Sequence, residues 1–105
     1  FLVGANEMRT NMVIPIPILE LIKFRIAQPH KYRAVLGAEM YSLENAIDAG
    51  IIDETVAADD LMNAAITKAK DLSTLGHPSY TLTKELYIEE PLKKINDAIN
   101  GLDAQ

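Results

Sequence analysis

Glu7 is the residue in this sequence best placed to do chemistry. It stands in Gly4-Ala5-Asn6-Glu7-Met8, just ahead of the apolar, proline-spaced run Met12-Val13-Ile14-Pro15-Ile16-Pro17. A carboxylate bordering apolar chain can work as a general acid or base, because partial desolvation brings its two protonation states closer in energy. The plainer account is an ordinary solvated or ion-paired carboxylate, one of fifteen acidic residues. The other chemical side chains offer less. His30 and His77 have no second ligand at metal-binding spacing, and each adjoins a proline at a helix start, so both read as surface or capping residues and no metal is expected. Cysteine is absent, which excludes disulfides and thiolate chemistry. No glycine-rich phosphate loop and no nucleophile-elbow serine occurs. Tyr32, Tyr41, Tyr80 and Tyr87 read as amphipathic packing residues, and Met8, Met12, Met40 and Met62 as core fillers.

The elements that must position Glu7 follow from punctuation and periodicity. Residues 1–17 read as extended, with Phe1-Leu2-Val3 a short strand, because Pro15 and Pro17 fix φ and remove backbone donors. Ile18, Leu19, Ile22 and Ile26 recur at helical spacing beyond Pro17. Pro29 opens a helix to Leu36, stopped by Gly37. Ser42 caps a helix over Leu43 to Ala49 that Gly50 ends in a left-handed turn, although Asn45 stands where a full capping box has Glu or Gln. Ile51 to Val56 reads as a short extended segment. Asp59 and Asp60 start a helix with Leu61, Ala65, Lys68 and Leu72 on one face and Gly76 at its end. His77-Pro78 begins another, and Ile88, Leu92, Ile95, Ile99 and Leu102 form an apolar seam interrupted by Pro91, where a kink or a new helix start is expected.

Composition sets the class. A chain of 105 residues with 49% hydrophobic and 24% charged residues is ordinary for a small globular domain. The net charge of -5, with scattered Lys and Arg, argues against nucleic acid as a partner. Met12 to Leu19 holds two prolines and is far short of a membrane span, and Phe1-Leu2-Val3-Gly4 lacks the length and basic lead of a secretory signal. The expectation is a soluble, cytoplasmic protein with no membrane partner.

Three features taken in order resemble the C-terminal portion of the crotonase superfamily, the enoyl-CoA hydratases and isomerases. They are Gly4-Ala5-Asn6-Glu7 with Pro15 eight residues beyond the glutamate, the stretch Ala38-Glu39-Met40-Tyr41-Ser42-Leu43-Glu44-Asn45-Ala46-Ile47-Asp48-Ala49-Gly50-Ile51-Ile52-Asp53, and Asp59 to Ala65. The resemblance covers residues 1 to 86. It departs from the family at Ile16-Pro17, where many members have a Gly-Ala-Gly turn, and at Asn6, where proline is commoner.

The resemblance implies the rest. The fold is a mainly α fragment with short extended segments near the N-terminus and over 51–56, forming the second half of an α/β crotonase spiral. Residues 1–76 end the crotonase core, and 77–105 form a C-terminal helical region used in oligomer contacts. Glu7 occupies the catalytic position and moves a proton at an acyl-CoA carbon. The thioester enolate is held by an oxyanion hole from chain preceding Phe1. Coenzyme A enters as part of the substrate, with no permanently bound cofactor. Assembly as a homo-oligomer, a trimer or dimer of trimers, is expected, and the 105 residues alone are expected to be inactive. The competing expectation is a non-catalytic helical interaction module derived from a crotonase.

Overall fold

The computed structural model describes residues 1–101, so Leu102, the last position of the expected seam, lies outside the described residues. The chain divides into two compact units, residues 1–54 with the chain from Pro91 onward, and residues 55–90. Its helices are α1 (Ile16–Arg25), α2 (Lys31–Val35), α3 (Leu43–Asp48), α4 (Leu61–Ser73) and α5 (Pro78–Ile99), with 3-10 turns at Glu7–Arg9, Gln28–His30 and Ala58–Asp60. Among the described residues no strand ladder forms, and the β contact present is an isolated antiparallel bridge between Val3 and Tyr41. The expected strand near the N-terminus is thus reduced to one bridge.

In the first unit α1 begins at Ile16, two residues before the expected start at Ile18. Pro15 is its N-cap and Pro17 falls in its first turn, where the missing N–H would have no partner anyway and the fixed φ suits the helix. α3 matches its sequence signals closely. The Ser42 hydroxyl accepts the Asn45 N–H at 3.2 Å. At the other end Gly50 has φ +81, the Gly50 N–H donates to Ile47 O at 3.0 Å and the Ile51 N–H to Ala46 O at 2.9 Å, a complete Schellman motif. A Cβ on Gly50 would also stand 3.1 Å from the Arg25 carbonyl oxygen.

That cap explains why 51–56 is not a strand. Ile51 and Ile52 turn back onto the core of Ile26, Ala34, Tyr41, Ala46 and Ala49, joined there by Ile22. Ala46 and Ala49 are fully buried, and their small side chains let the end of α1 approach closely enough for Ala27 N–H to bond Ala49 O at 2.8 Å. Arg25 and Asp53 close the same junction with an ion pair. Ile18 does not join this core: it is 48% exposed, as Leu21 and Phe24 also are in large part. α1 carries apolar side chains on more than one face: Ile22 meets the core, whereas Ile16, Ile18, Leu21 and Phe24 are exposed.

In the second unit α4 has no buried residue. Leu61, Ala65 and Leu72, expected on its packed face, are exposed, and Ala64 is the half-buried position. A unit of this size cannot enclose a core. α5, whose residues from Pro91 belong to the first unit, continues through Pro91 as one helix, so of the kink or new helix start expected there the new start does not occur. Its half-buried apolar positions are Ile88, Pro91, Ile95 and Ala98, whereas Leu92 and Ile99 are exposed. The seam has therefore rotated by one position, because steps of three and four can be read from either neighbouring row. Met8, Met12 and Met62 are likewise exposed and fill no core.

Candidate active site

Glu7 opens the 3-10 turn Glu7–Arg9, which follows Asn6 at φ -100, ψ 15. The Asn6 carbonyl accepts the Arg9 N–H at 2.9 Å. The Glu7 carbonyl accepts the N–H groups of Thr10 at 3.1 Å and Met12 at 2.9 Å, together with the Thr10 hydroxyl at 3.2 Å. Asn11 adopts φ +57 to complete the bend, and buried Ile14 brings the chain into α1. The Glu7 backbone is thus tied up locally while its side chain is left for other work. The Glu7 residue is half-buried, and its Oε2 is buried with no hydrogen-bond partner among the described residues. An unpaired buried acceptor costs about 1–3 kcal/mol, so such an atom calls for a partner or a task, a catalytic role among them.

Both ends of this loop are pinned to one segment, Ala38 to Tyr41. On one side Val3 N–H donates to Tyr41 O at 2.8 Å and Tyr41 N–H to Val3 O at 2.7 Å. Gly4 then passes so close that a Cβ would lie 2.7 Å from both Glu39 O and Met40 Sδ. On the other side Arg9 Nε donates to the Ala38 carbonyl at 3.0 Å. Ala38 is 2% exposed and takes φ +47, an unfavourable conformation for a residue with a Cβ.

The pinning segment is itself anchored to α2. Glu39 N–H donates to Arg33 O at 3.0 Å, and Arg33 Nη2 donates to both Glu39 carboxylate oxygens, Oε1 at 3.0 Å and Oε2 at 2.9 Å. The Arg33 hydrogen bond, followed by one from Tyr41, holds the Glu39 carboxyl below its ordinary value. Burial, and then Glu39, pushes the Tyr41 phenol up. The Tyr41 hydroxyl lies 3.3 Å from His30 Nδ1, with the rings tilted at 5.7 Å between centroids. His30 sits at the N-cap position of α2, but its side chain makes no cap bond there; it meets Tyr41 instead.

Two cavities flank this arrangement. An apolar one of about 490 Å³ is lined by Val3, Ala5, Leu21, Phe24, Tyr41 and Ile51, among others. A polar one of about 280 Å³ is lined by His30, Arg33, Glu39, Tyr41, Asn45 and Asp48, with Met40. Among the described residues no group of three His, Asp or Glu side chains could hold a metal ion. Of the sequence-picked residues, Tyr41 is part of the frame around Glu7. Arg9 and Arg33 carried no recognisable signal; Ala38 and Glu39 lie in the stretch that carries the resemblance, but nothing along the chain marked them as partners of the Glu7 loop, since each acts there through a tertiary contact. Lys93 forms an (i, i+4) ion pair with Asp97 at 2.7 Å, a pairing common on helix surfaces.

Solved structures resemble the chain throughout. An enoyl-CoA hydratase from Mycobacterium marinum is 30% identical with TM-score 0.86, the match covering 100% of this chain and 47% of that one. An enoyl-CoA isomerase from Mycobacterium tuberculosis is 28% identical with TM-score 0.87, covering 100% and 46%. An enoyl-CoA hydratase/isomerase family protein from Pseudomonas syringae is 29% identical with TM-score 0.83, covering 95% and 44%. The chain therefore spans a little under half the length of each. No protein-family model matches it, and no curated protein matches it in sequence.

Proposed function

We propose that this chain, whose sequence and structure both resemble the C-terminal portion of crotonase-superfamily enzymes, belongs to an acyl-CoA-handling enzyme of the hydratase/isomerase type. Glu7 is its general acid/base. The Glu7 carboxylate takes a proton from the carbon beside the thioester carbonyl, and the electron pair of that C–H bond moves onto the thioester oxygen as an enolate. Backbone N–H donors facing that oxygen stabilise the developing charge, and they come from outside residues 1–105. Returned to a different carbon, the proton shifts a double bond. With water as nucleophile, a second glutamate from outside residues 1–105 joins Glu7. The substrate is a coenzyme A thioester, with no further cofactor. The protein is a cytoplasmic homo-oligomer, and residues 1–105 alone are inactive.

The observation that carries this reading is the buried, unpartnered Oε2 of Glu7 on a loop held at both ends. Its test is Glu7→Gln in the protein that carries this chain, with 2-enoyl- and 3-enoyl-CoA thioesters as separate substrates. Loss of a general acid/base costs about 10²- to 10⁴-fold in turnover. Near-normal turnover would sink the assignment.

A second reading, a non-catalytic helical interaction module, has one observation behind it: large apolar side chains are exposed, Phe1 at 96% and Val13 at 88%, with Leu21 and Phe24 also exposed.

A further inference from the structure

We propose that Arg9 is a positioning residue for Glu7, a latch that fixes the turn bearing the carboxylate against the Ala38 carbonyl; this deepens, and rests on, the general acid/base reading of Glu7. The local bonds of the loop set its curvature but not its place. The Asn6 and Glu7 carbonyls are satisfied by Arg9, Thr10 and Met12, all within the same loop. The Val3–Tyr41 bridge fixes the chain ahead of Glu7. Beyond Glu7 the chain is next fixed at buried Ile14, where it enters α1, which leaves the turn between these two anchors without a fixed place of its own.

The bond from Arg9 Nε to Ala38 O supplies a tether there. It is part-buried, 3.0 Å long and spans 29 positions of sequence. Arg9 closes the same turn that Glu7 opens, so a bond from Arg9 acts on the stretch of backbone that carries Glu7. A bond donated by a charged guanidinium is stronger than a neutral one. Arg9 makes no ion pair among the described residues, so this contact to a neutral carbonyl is the role the structure gives its side chain.

The acceptor is equally committed. Ala38 is buried at φ +47, and the next residue, Glu39, is held to α2 by its own N–H and by the Arg33 contact to both its carboxylate oxygens. The positional chain runs from α2 through Arg33, Glu39 and Ala38 to Arg9, and so to Glu7. Proton transfer at carbon depends steeply on placement, and a shift of about 1 Å costs about a hundredfold in rate. The guanidinium Nε–H has a fixed direction that a lysine ammonium does not copy.

The test compares Arg9→Met, Arg9→Lys, Arg9→Ala and Glu7→Gln in the protein that carries this chain, with an enoyl-CoA thioester as substrate. Arg9→Met should lower kcat by about ten- to a hundredfold with KM within about twofold. Arg9→Lys should fall between it and the parent, and added guanidinium ion should restore part of the kcat of Arg9→Ala. Amide exchange at Thr10 and Met12 should quicken in Arg9→Met at an unchanged melting temperature. Should Arg9→Met fail to fold, Arg9→Lys carries the same kinetic comparison. Near-normal turnover by Glu7→Gln overturns the Glu7 reading itself. A dead Glu7→Gln beside an Arg9→Met with parental kcat overturns the Arg9 proposal alone. So does a loss confined to the amount of folded protein, with kcat per folded molecule unchanged and no guanidinium rescue.

Discussion

Val3 and Tyr41 exchange both main-chain hydrogen bonds, at 2.8 and 2.7 Å, and through this pair the loop bearing Glu7 is joined to the buried core. Tyr41 is 3% exposed and packs with Ile26, Ala34, Ala46 and Ala49, so whatever fixes Tyr41 also fixes Val3 and the chain just before Glu7.

Gly4→Ala should break this junction. The added Cβ would lie 2.7 Å from a backbone oxygen, that of Glu39, and 2.7 Å from Met40 Sδ. The sulfur can move, but the carbonyl is fixed by the bridge beside it. Overpacking of this kind costs about 1–3 kcal/mol. Urea titration should show the lower midpoint, and the Val3 and Tyr41 amides should lose exchange protection first. Parental stability would mean that the bridge is looser than its distances imply.

The Arg33–Glu39 contact makes stability acid-sensitive. Glu39 titrates below its ordinary value of 4.5 because the Arg33 hydrogen bond favours the carboxylate. Its contribution is therefore present above the unfolded value and lost as pH falls through the lowered folded value. Unfolding midpoints measured from about pH 6 down to about pH 3 should fall less steeply in Glu39→Gln than in the parent. Parallel curves would remove the contact from the list of stabilising interactions.

Tyr41 sets the opposite limb. Burial, and then Glu39, raises its phenol above the ordinary 10.0, so the folded state keeps a proton that the unfolded chain gives up. Stability should decline as pH rises past that value, and Tyr41→Phe should flatten the decline. The same substitution removes the contact to His30 at a cost of about 0.5–1.5 kcal/mol near neutral pH. Far-UV melting curves on the alkaline side separate the two effects.

Residues 1–105 prepared alone should self-associate. Leu21 is 59% exposed and Phe24 42%, and both line the apolar cavity beside Val3 and Ala5. Leu21→Glu with Phe24→Lys should shift sedimentation toward monomer. A compact monomer of the unchanged chain at high concentration would show that the outward face of α1 needs no cover.

Several local signals were readable in the sequence because their cause is local, although Pro17 and Pro91 lie inside helices where a boundary was expected. Ser42 caps α3 and Gly50 ends it because a hydroxyl oxygen and a left-handed turn act within a few residues. Pro29 and Pro78 mark helix starts for the same reason. The sequence also carried the crotonase resemblance, which the solved structures extend over the whole chain. It singled out Glu7 but could say nothing of its surroundings. Faces were harder to read, because steps of three and four leave neighbouring rows equivalent until something packs on one of them. That is why α5 half-buries Pro91 and Ala98 instead of Leu92 and Ile99, and why Ile51 and Ile52 serve a helix cap instead of a strand. The frame around Glu7 was decided by tertiary structure alone. A bond from Arg9 to the carbonyl of Ala38, and a left-handed alanine that presents it, depend on where distant segments meet, which no spacing along the chain encodes.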